Sequence, residues 1–297
     1  MSCCARKGCP PQTRQPTKRS ILMCRPTFFT VAYAINPYMN TDTPVDQAKA
    51  VAQWQTLYDT YEQLGFDLHL IDPLPGLPDM VFAANGGFVL DGIAYGAKFR
   101  HPERQPEGPA YMNWFRNFGL KVVEPAFTNE GMGDFTLVGN VILAGTGFRA
   151  DVRSHEELRR VFKREVVTLK LVNPRYYHLD VALTVLDPVP VDPSSPCVAY
   201  LESAFDEASL ATLRNRFPNA IIASEEDAAL LALNSYSDGY NVVYPSKATN
   251  FARQLKEHGY NPIGVDLSEL FLGGGSIRCC TLDLHPVGTG TSVARAS

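Results

Sequence analysis

A helical stretch that stops at a turn and runs directly into a short strand recurs five times along this chain. The first copy opens at Thr43-Pro44, a hydroxyl cap followed by proline at the first helical position. Ala50, Trp54, Leu57, Tyr61 and Leu64 then recur at helical spacing, Gly65 ends the helix, and 66–71 reads as a strand. Tyr111, Phe115 and Phe118 lead through Gly119 into 120–123. Ser154 and Glu157 have capping-box spacing, and that helix leads into 166–172. Leu210, Leu213 and Phe217 lead into 220–223, and Phe251 and Leu255 lead through Gly259 into 260–265. The strands start near 66, 120, 166, 220 and 260, at steps of 54, 46, 54 and 40 residues. Additional strand candidates at 87–90, 140–144, 182–186 and 241–244 fall between these units. Such a period predicts a circular or solenoid array. A doubly wound sheet explains the alternation but not the additional strand in each unit. The helical-looking 225–233 interrupts the period.

Composition narrows the partners. The chain has 297 residues, 45% of them hydrophobic and 20% charged, with a net charge of −4. That suits one large globular domain, and the absence of basic bias argues against nucleic acid or an anionic membrane as partner. Seven cysteines occur without a CxxC pair, so neither a disulfide framework nor a structural zinc site is expected. Reduced thiols in the cytoplasm are the default. Residues 1–22 carry Arg6, Lys7, Arg14, Lys18 and Arg19 with several prolines and no acid, and lack the apolar core of a secretory signal. They read as a disordered basic extension, 23–287 as a single catalytic domain, and the Gly/Ser/Thr/Ala-rich 288–297 as a flexible tail.

In a closed ring, equivalent loops meet at one end of the axis. The loops after the first, second and third units hold Asp79 and Asn85, Glu130 and Asp134, and His178 and Asp180, and the loop after the fifth holds Gly273-Gly274-Gly275 followed by Cys279. The ring would gather a thiol, an imidazole and several carboxylates from different modules. Cysteine and histidine supply a nucleophile and a proton shuttle. The glycines let the backbone pass close to another group, and the adjacent Arg278 would favour the thiolate. Taken alone, Cys279 and Cys280 read first as small buried hydrophobes, the usual fate of free cysteine. Several acids around one cysteine suppress its thiolate unless the substrate itself brings positive charge. A guanidinium is such a substrate, planar and cationic with paired N–H donors. Asp134 and Asp187 read as turn caps, Arg278 and Cys280 as packing or loop-positioning residues, and His101, His258 and His285 as surface.

The segments PDMVFAAN (78–85), HPER (101–104), EGMGD (130–134), GTGFR (145–149), YHLD (177–180) and GGGSIRCCTL (273–282) stand in this order. With them the chain resembles the guanidino-group-modifying, or pentein, superfamily from about Arg25 to about Leu284. That superfamily includes arginine deiminase, dimethylargininase, arginine dihydrolase and amidinotransferase. The resemblance implies an α/β fold, a five-bladed pseudo-symmetric α/β propeller. It implies Cys279 as nucleophile, His178 as general acid–base and Glu130 as its partner. Asp79, Asn85 and Asp180 would face the guanidinium, and Arg104 and Arg149 would hold the α-carboxylate. Arg104 lies in a charged loop and reads equally well as a solvated surface residue.

The implied enzyme is a hydrolase acting on the C–N bonds of a linear amidine, through a thiouronium intermediate on Cys279. No metal or organic cofactor is expected. The partner is a small molecule, arginine or a methylated arginine, and a homodimer is an assembly the sequence leaves open. Deiminase and dimethylargininase relatives carry Asp where this chain has Asn85. Asn offers both a donor and an acceptor, which suits a neutral ureido group, and Asp180 also departs from the dimethylargininase pattern. Arginine dihydrolase, giving ornithine, carbon dioxide and ammonia, is therefore the first expectation. Dimethylargininase or a citrulline-forming deiminase comes second. An amidinotransferase or a non-catalytic propeller module fits less well, since the cysteine, histidine and glutamate are all present.

Overall fold

The computed structural model describes residues 14–188 and 198–285. Within them five three-stranded sheets form a ring, each built as an antiparallel pair, a helix, and a third strand parallel to the middle one. The first sheet takes β1 (Ser20–Cys24), helix α1 (Gln47–Gln63) and β2 (Asp67–Ile71) from the start of the chain. The second runs β3 (Gly87–Leu90), β4 (Ile93–Gly96), α2 (Glu107–Asn117) and β5 (Lys121–Val123). The third runs β6 (Phe135–Val138), β7 (Val141–Thr146), α3 (Arg153–Phe162) and β8 (Glu165–Lys170). The fourth runs β9 (Leu183–Val185), β10 (Val198–Tyr200), α4 (Glu207–Arg216) and β11 (Ile221–Ile222), followed by the short α5 (Glu225–Ala229). The fifth runs β12 (Tyr236–Ser237), β13 (Asn241–Pro245), α6 (Thr249–Glu257) and β14 (Asn261–Val265), before α7 (Ser268–Phe271). Finally β15 (Leu282–Asp283) pairs antiparallel with β1, Ile21 opposite Asp283 and Leu22 opposite Leu282, and closes the ring.

This is a five-bladed α/β propeller, the fold that the resemblance implies. The first strand of each antiparallel pair faces the axis, where β3 meets β15 and β9 meets both β6 and β12. The five strands read from the sequence are the third strands β2, β5, β8, β11 and β14, each starting within one residue of its expected position. The additional candidates are β3, β7, β9 and β13, one member of the antiparallel pair in each of the second to fifth units. Their partners β4, β6, β10 and β12 are two to four residues long and are not among the strands expected from the sequence.

Helices supply the packing. Trp54, Leu57 and Tyr61 of α1 are fully buried, as are Tyr111 and Phe115 of α2. Phe88 and Phe162 meet edge to face with centroids 5.3 Å apart. Burying one such ring contributes roughly 1.5–3 kcal/mol. Two helix starts differ from expectation. Asp46, whose carboxylate accepts from Lys49 N, caps α1 rather than Thr43. Ser154 lies inside α3 and donates to Asp151 O, so its hydroxyl is turned back rather than capping. The segment 225–233 is helical only to Ala229, and Leu231 takes a positive φ of 59°.

The expected boundary at residue 22 falls inside β1. Residues 14–19, assigned to the loose extension, are held by the fourth and fifth units. Thr17 N donates to Asp238 O at 2.8 Å and Arg19 Nη2 to Ser237 O at 3.1 Å. Arg14 pairs with Asp187 and lies 3.8 Å over the Tyr260 ring. Composition could not show these partners, which exist only once the ring forms. Residues 1–13 and the tail expected at 288–297 lie outside the described residues. Among the described residues no helix is long and apolar enough to cross a membrane.

Candidate active site

In every unit the chain enters its axis-facing strand through a short loop or turn. Asn85 lies in the turn Ala83–Gly86 ahead of β3, and Glu130 directly precedes the turn Gly131–Gly133 ahead of β6. His178 precedes the turn Leu179–Val181 ahead of β9, with Asp180 inside it. Cys279 lies three residues ahead of β15. The first two turns touch each other, and the third touches the second. All five side chains are buried. The glycine run serves this approach: a Cβ on Gly275 would sit 2.4 Å from the Phe82 ring, and Gly274 has φ +84°.

Cys279 Sγ faces Asp180 Oδ2 at 3.3 Å and receives Asn234 Nδ2 at 3.1 Å. Burial pushes the thiol well up, and the charge of Asp180 adds to the effect. Burial likewise raises the Asp180 carboxyl to about 7, against the pull of Arg278. Without a ligand the pair favours its protonated forms. The sequence placed a cation beside the sulfur, but Arg278 turns away, donating to Asp283 Oδ2 and Thr281 O at 3.0 Å each. Cys280 is fully buried.

His178 Nε2 lies 2.7 Å from Glu130 Oε2, and Arg149 Nη1 donates to the same oxygen at 2.7 Å. Burial alone would raise the Glu130 carboxyl. Arg149, the hydrogen bond with His178 and the more distant Arg104 outweigh it and hold the group below the usual range. Burial pushes His178 down to about 4 in spite of Glu130. An ionised glutamate therefore accepts the N–H of a neutral imidazole, which fixes the tautomer and leaves Nδ1 as the acceptor.

Arg104 is buried, not solvated. It forks onto Glu107 at 2.9 and 2.8 Å, donates to Asn85 Oδ1 at 2.9 Å and to Asp79 O at 3.2 Å. The bidentate geometry marks an ionised pair. Asn85 Nδ2 donates to Glu130 O at 3.2 Å, and Tyr33 donates to Asp79 Oδ2 at 3.0 Å. Arg149 also donates to Ile35 O at 2.8 Å, and Asn36 to Gly273 O at 3.0 Å. The 33–36 segment thus covers a cleft lined by Asp79, Asn85, Arg104, Arg149, Tyr177 and Cys279, with about 10 Å³ left free.

All eight expected site residues are thus brought to one region. Asp134 accepts from Glu130 N at 2.7 Å, a structural role as expected. His285 is half-buried beside Asp283 at 3.8 Å rather than on the surface. Sequence reasoning missed Asn234, Glu107 and the covering 33–36 segment. The period held the signal for Asn234, which lies two residues ahead of β12 as Asn85 does ahead of β3. The arrangement can attack a planar cationic carbon with sulfur, transfer protons through an imidazole, and hold the cation among carboxylates away from water.

The family model for eukaryotic N,N-dimethylarginine dimethylhydrolase matches residues 26–286. An N(G),N(G)-dimethylarginine dimethylaminohydrolase from Mycobacterium tuberculosis is 49% identical over 282 residues, covering 95% of this chain and 91% of its own. The bifunctional arginine dihydrolase/ornithine cyclodeaminase ArgZ from Synechocystis is 34% identical over 269 residues, 88% of this chain but 37% of ArgZ. The crystal structure of the cyanobacterial ArgZ N-terminal domain bound to product matches with a TM-score of 0.84 and 32% identity, covering 91% of this chain and 99% of that one.

Proposed function

The chain belongs to the N,N-dimethylarginine dimethylhydrolase family, hydrolases of C–N bonds in linear amidines, and from that premise we propose that its substrate is a free arginine methylated on the guanidinium. The products are citrulline and the methylated amine. The observation that carries the reaction is the Cys279 sulfur against Asp180, in the cleft that Arg149 lines while it pairs with Glu130 and, through it, His178. The relative at 49% identity over nearly the full length of both chains supports the methylated substrate.

In this reading the arriving guanidinium supplies the positive charge that the sulfur lacks. With that charge in place the Cys279 thiol gives up its proton to the neutral His178, and the thiolate attacks the guanidinium carbon; the imidazolium so formed holds the proton that the leaving amine needs. His178 protonates the departing amine, with Glu130 orienting the ring. A thiouronium on Cys279 results, water activated by His178 adds to its carbon, and the C–S bond breaks to release the ureido product and the thiol. Asp79 and Asn85 line the guanidinium side, and Arg104 and Arg149 serve the α-carboxylate.

One feature favours a second reading. Asn85 is neutral and offers both donor and acceptor, so the same pocket suits a ureido group and a second round of hydrolysis. Unmethylated arginine would then give ornithine, carbon dioxide and about two ammonia, from this scheme run twice. Chromatography after separate incubation with dimethylarginine and with arginine decides. Citrulline and dimethylamine from the first alone support the proposal. Ornithine from arginine installs the second reading, and no turnover of either compound overturns both.

A further inference from the structure

Asn234 lies in the loop that enters the fifth unit, two residues ahead of β12 as Asn85 lies two residues ahead of β3. It is fully buried. Its Oδ1 accepts from Ser276 N and Cys279 N, each at 3.1 Å. Its Nδ2 donates to Asp180 O at 3.1 Å and to Cys279 Sγ at 3.1 Å. Its own carbonyl accepts from Arg278 N at 3.1 Å. The amide orientation is fixed by these partners. A backbone N–H can only donate, so the oxygen faces Ser276 and Cys279, and the NH₂ faces the Asp180 carbonyl and the sulfur. Both lone pairs and both hydrogens are in use.

Among the described residues two side chains hydrogen-bond with the sulfur, and they act oppositely, while the Ser276 backbone also favours the thiolate. Asp180, once ionised, opposes a thiolate, whereas an amide N–H stabilises it. Arg278 is turned to Asp283 and gives the sulfur no hydrogen bond among the described residues. The bonds to Ser276 N and Cys279 N engage the amide oxygen, and the contact with sulfur is made by the other end of the same amide.

We propose that Asn234 is a catalytic residue of this site, its Nδ2 hydrogen stabilising the Cys279 thiolate during attack while its Oδ1 holds the 276–279 turn that aims the sulfur. The inference rests on Cys279 being the nucleophile, as argued above.

The test uses Asn234→Asp and Asn234→Ala, with Cys279→Ser in parallel. Asp keeps the size and the acceptor oxygen but removes the donor and adds charge. Ala removes the donor without adding charge. Turnover is measured alongside the pH dependence of Cys279 alkylation by iodoacetamide, followed by peptide mass spectrometry. Both variants should lose about a hundredfold in kcat, within the range of a single positioned catalytic group. In both, the alkylation midpoint should rise by about one pH unit, a tenfold drop in thiolate fraction at a given pH. A midpoint unmoved in Asn234→Ala, even with reduced turnover, overturns the proposal and leaves Asn234 as a loop holder. Failure of both variants to fold, read by circular dichroism, overturns it too. Turnover retained by Cys279→Ser instead removes the nucleophile reading, and the alkylation midpoints still report the contact with sulfur.

Discussion

Cys279 Sγ lies 3.3 Å from Asp180 Oδ2, so the sulfur faces a carboxylate where a resting thiolate would need a cation. A reagent that carries its own positive charge should therefore find a more reactive sulfur than a neutral one. Chloroacetamidine should label Cys279 at least about ten times faster than iodoacetamide at pH 7.5, equivalent to ~1.4 kcal/mol of added attraction. Equal rates, after correction for intrinsic reactivity, would remove the case for substrate-assisted ionisation.

Asp180 also makes a pH-dependent contribution to stability. Its carboxyl titrates near 7 in the fold because of burial, against about 3.9 in an unfolded chain. The folded state thus keeps a proton that the unfolded state releases between those values. Stability from this group is intact below about 3.9 and falls as pH rises towards 7. Asp180→Asn cannot ionise, so its Tm relative to wild type should be higher at pH 8 than at pH 4.5. Calorimetry at both pH values checks the sign.

Cys279 and Cys280 are adjacent and both buried, yet only Cys279 lines the cleft. Cys279→Ser should abolish turnover with the fold intact. Cys280→Ser should retain turnover at a small cost in Tm. Labelling of Cys280 alone by a haloacetamidine would reverse the assignment.

Arg104 and Glu107 form a buried fork. Arg104→Ala strands the glutamate and should destabilise the protein by about 3–5 kcal/mol. Adding Glu107→Gln should restore a large part of that loss, since the uncompensated charge disappears. Urea titration of both single variants and the double variant closes the cycle. Additive losses would show that the two residues act independently.

Repetition made the ring legible from sequence, because each helix is long enough to show a period and each third strand follows it. The loops holding Glu130, His178 and Cys279 were legible because they occupy equivalent places after the second, third and fifth units. Asn234 was hidden for two reasons. It follows a stretch whose composition is helical beyond Ala229, and its marker strand β12 is two residues long. Arg104 was ambiguous because a charged loop reads as solvent-facing until Glu107, in the first turn of α2, is seen to bury with it. Arg14 and Thr17 read as part of a loose arm because their partners Asp187 and Asp238 are distant in sequence.

The pairing of β15 with β1 ties chemistry to topology. Cys279 lies three residues ahead of β15, so its position is fixed where the last strand docks on the first. A chain emerging during synthesis can complete four blades before residues 279–283 exist. On the role proposed for Cys279, activity then reports ring closure. A partly made or nicked chain that cannot seat β15 on β1 should be inactive even where its remaining blades are well formed.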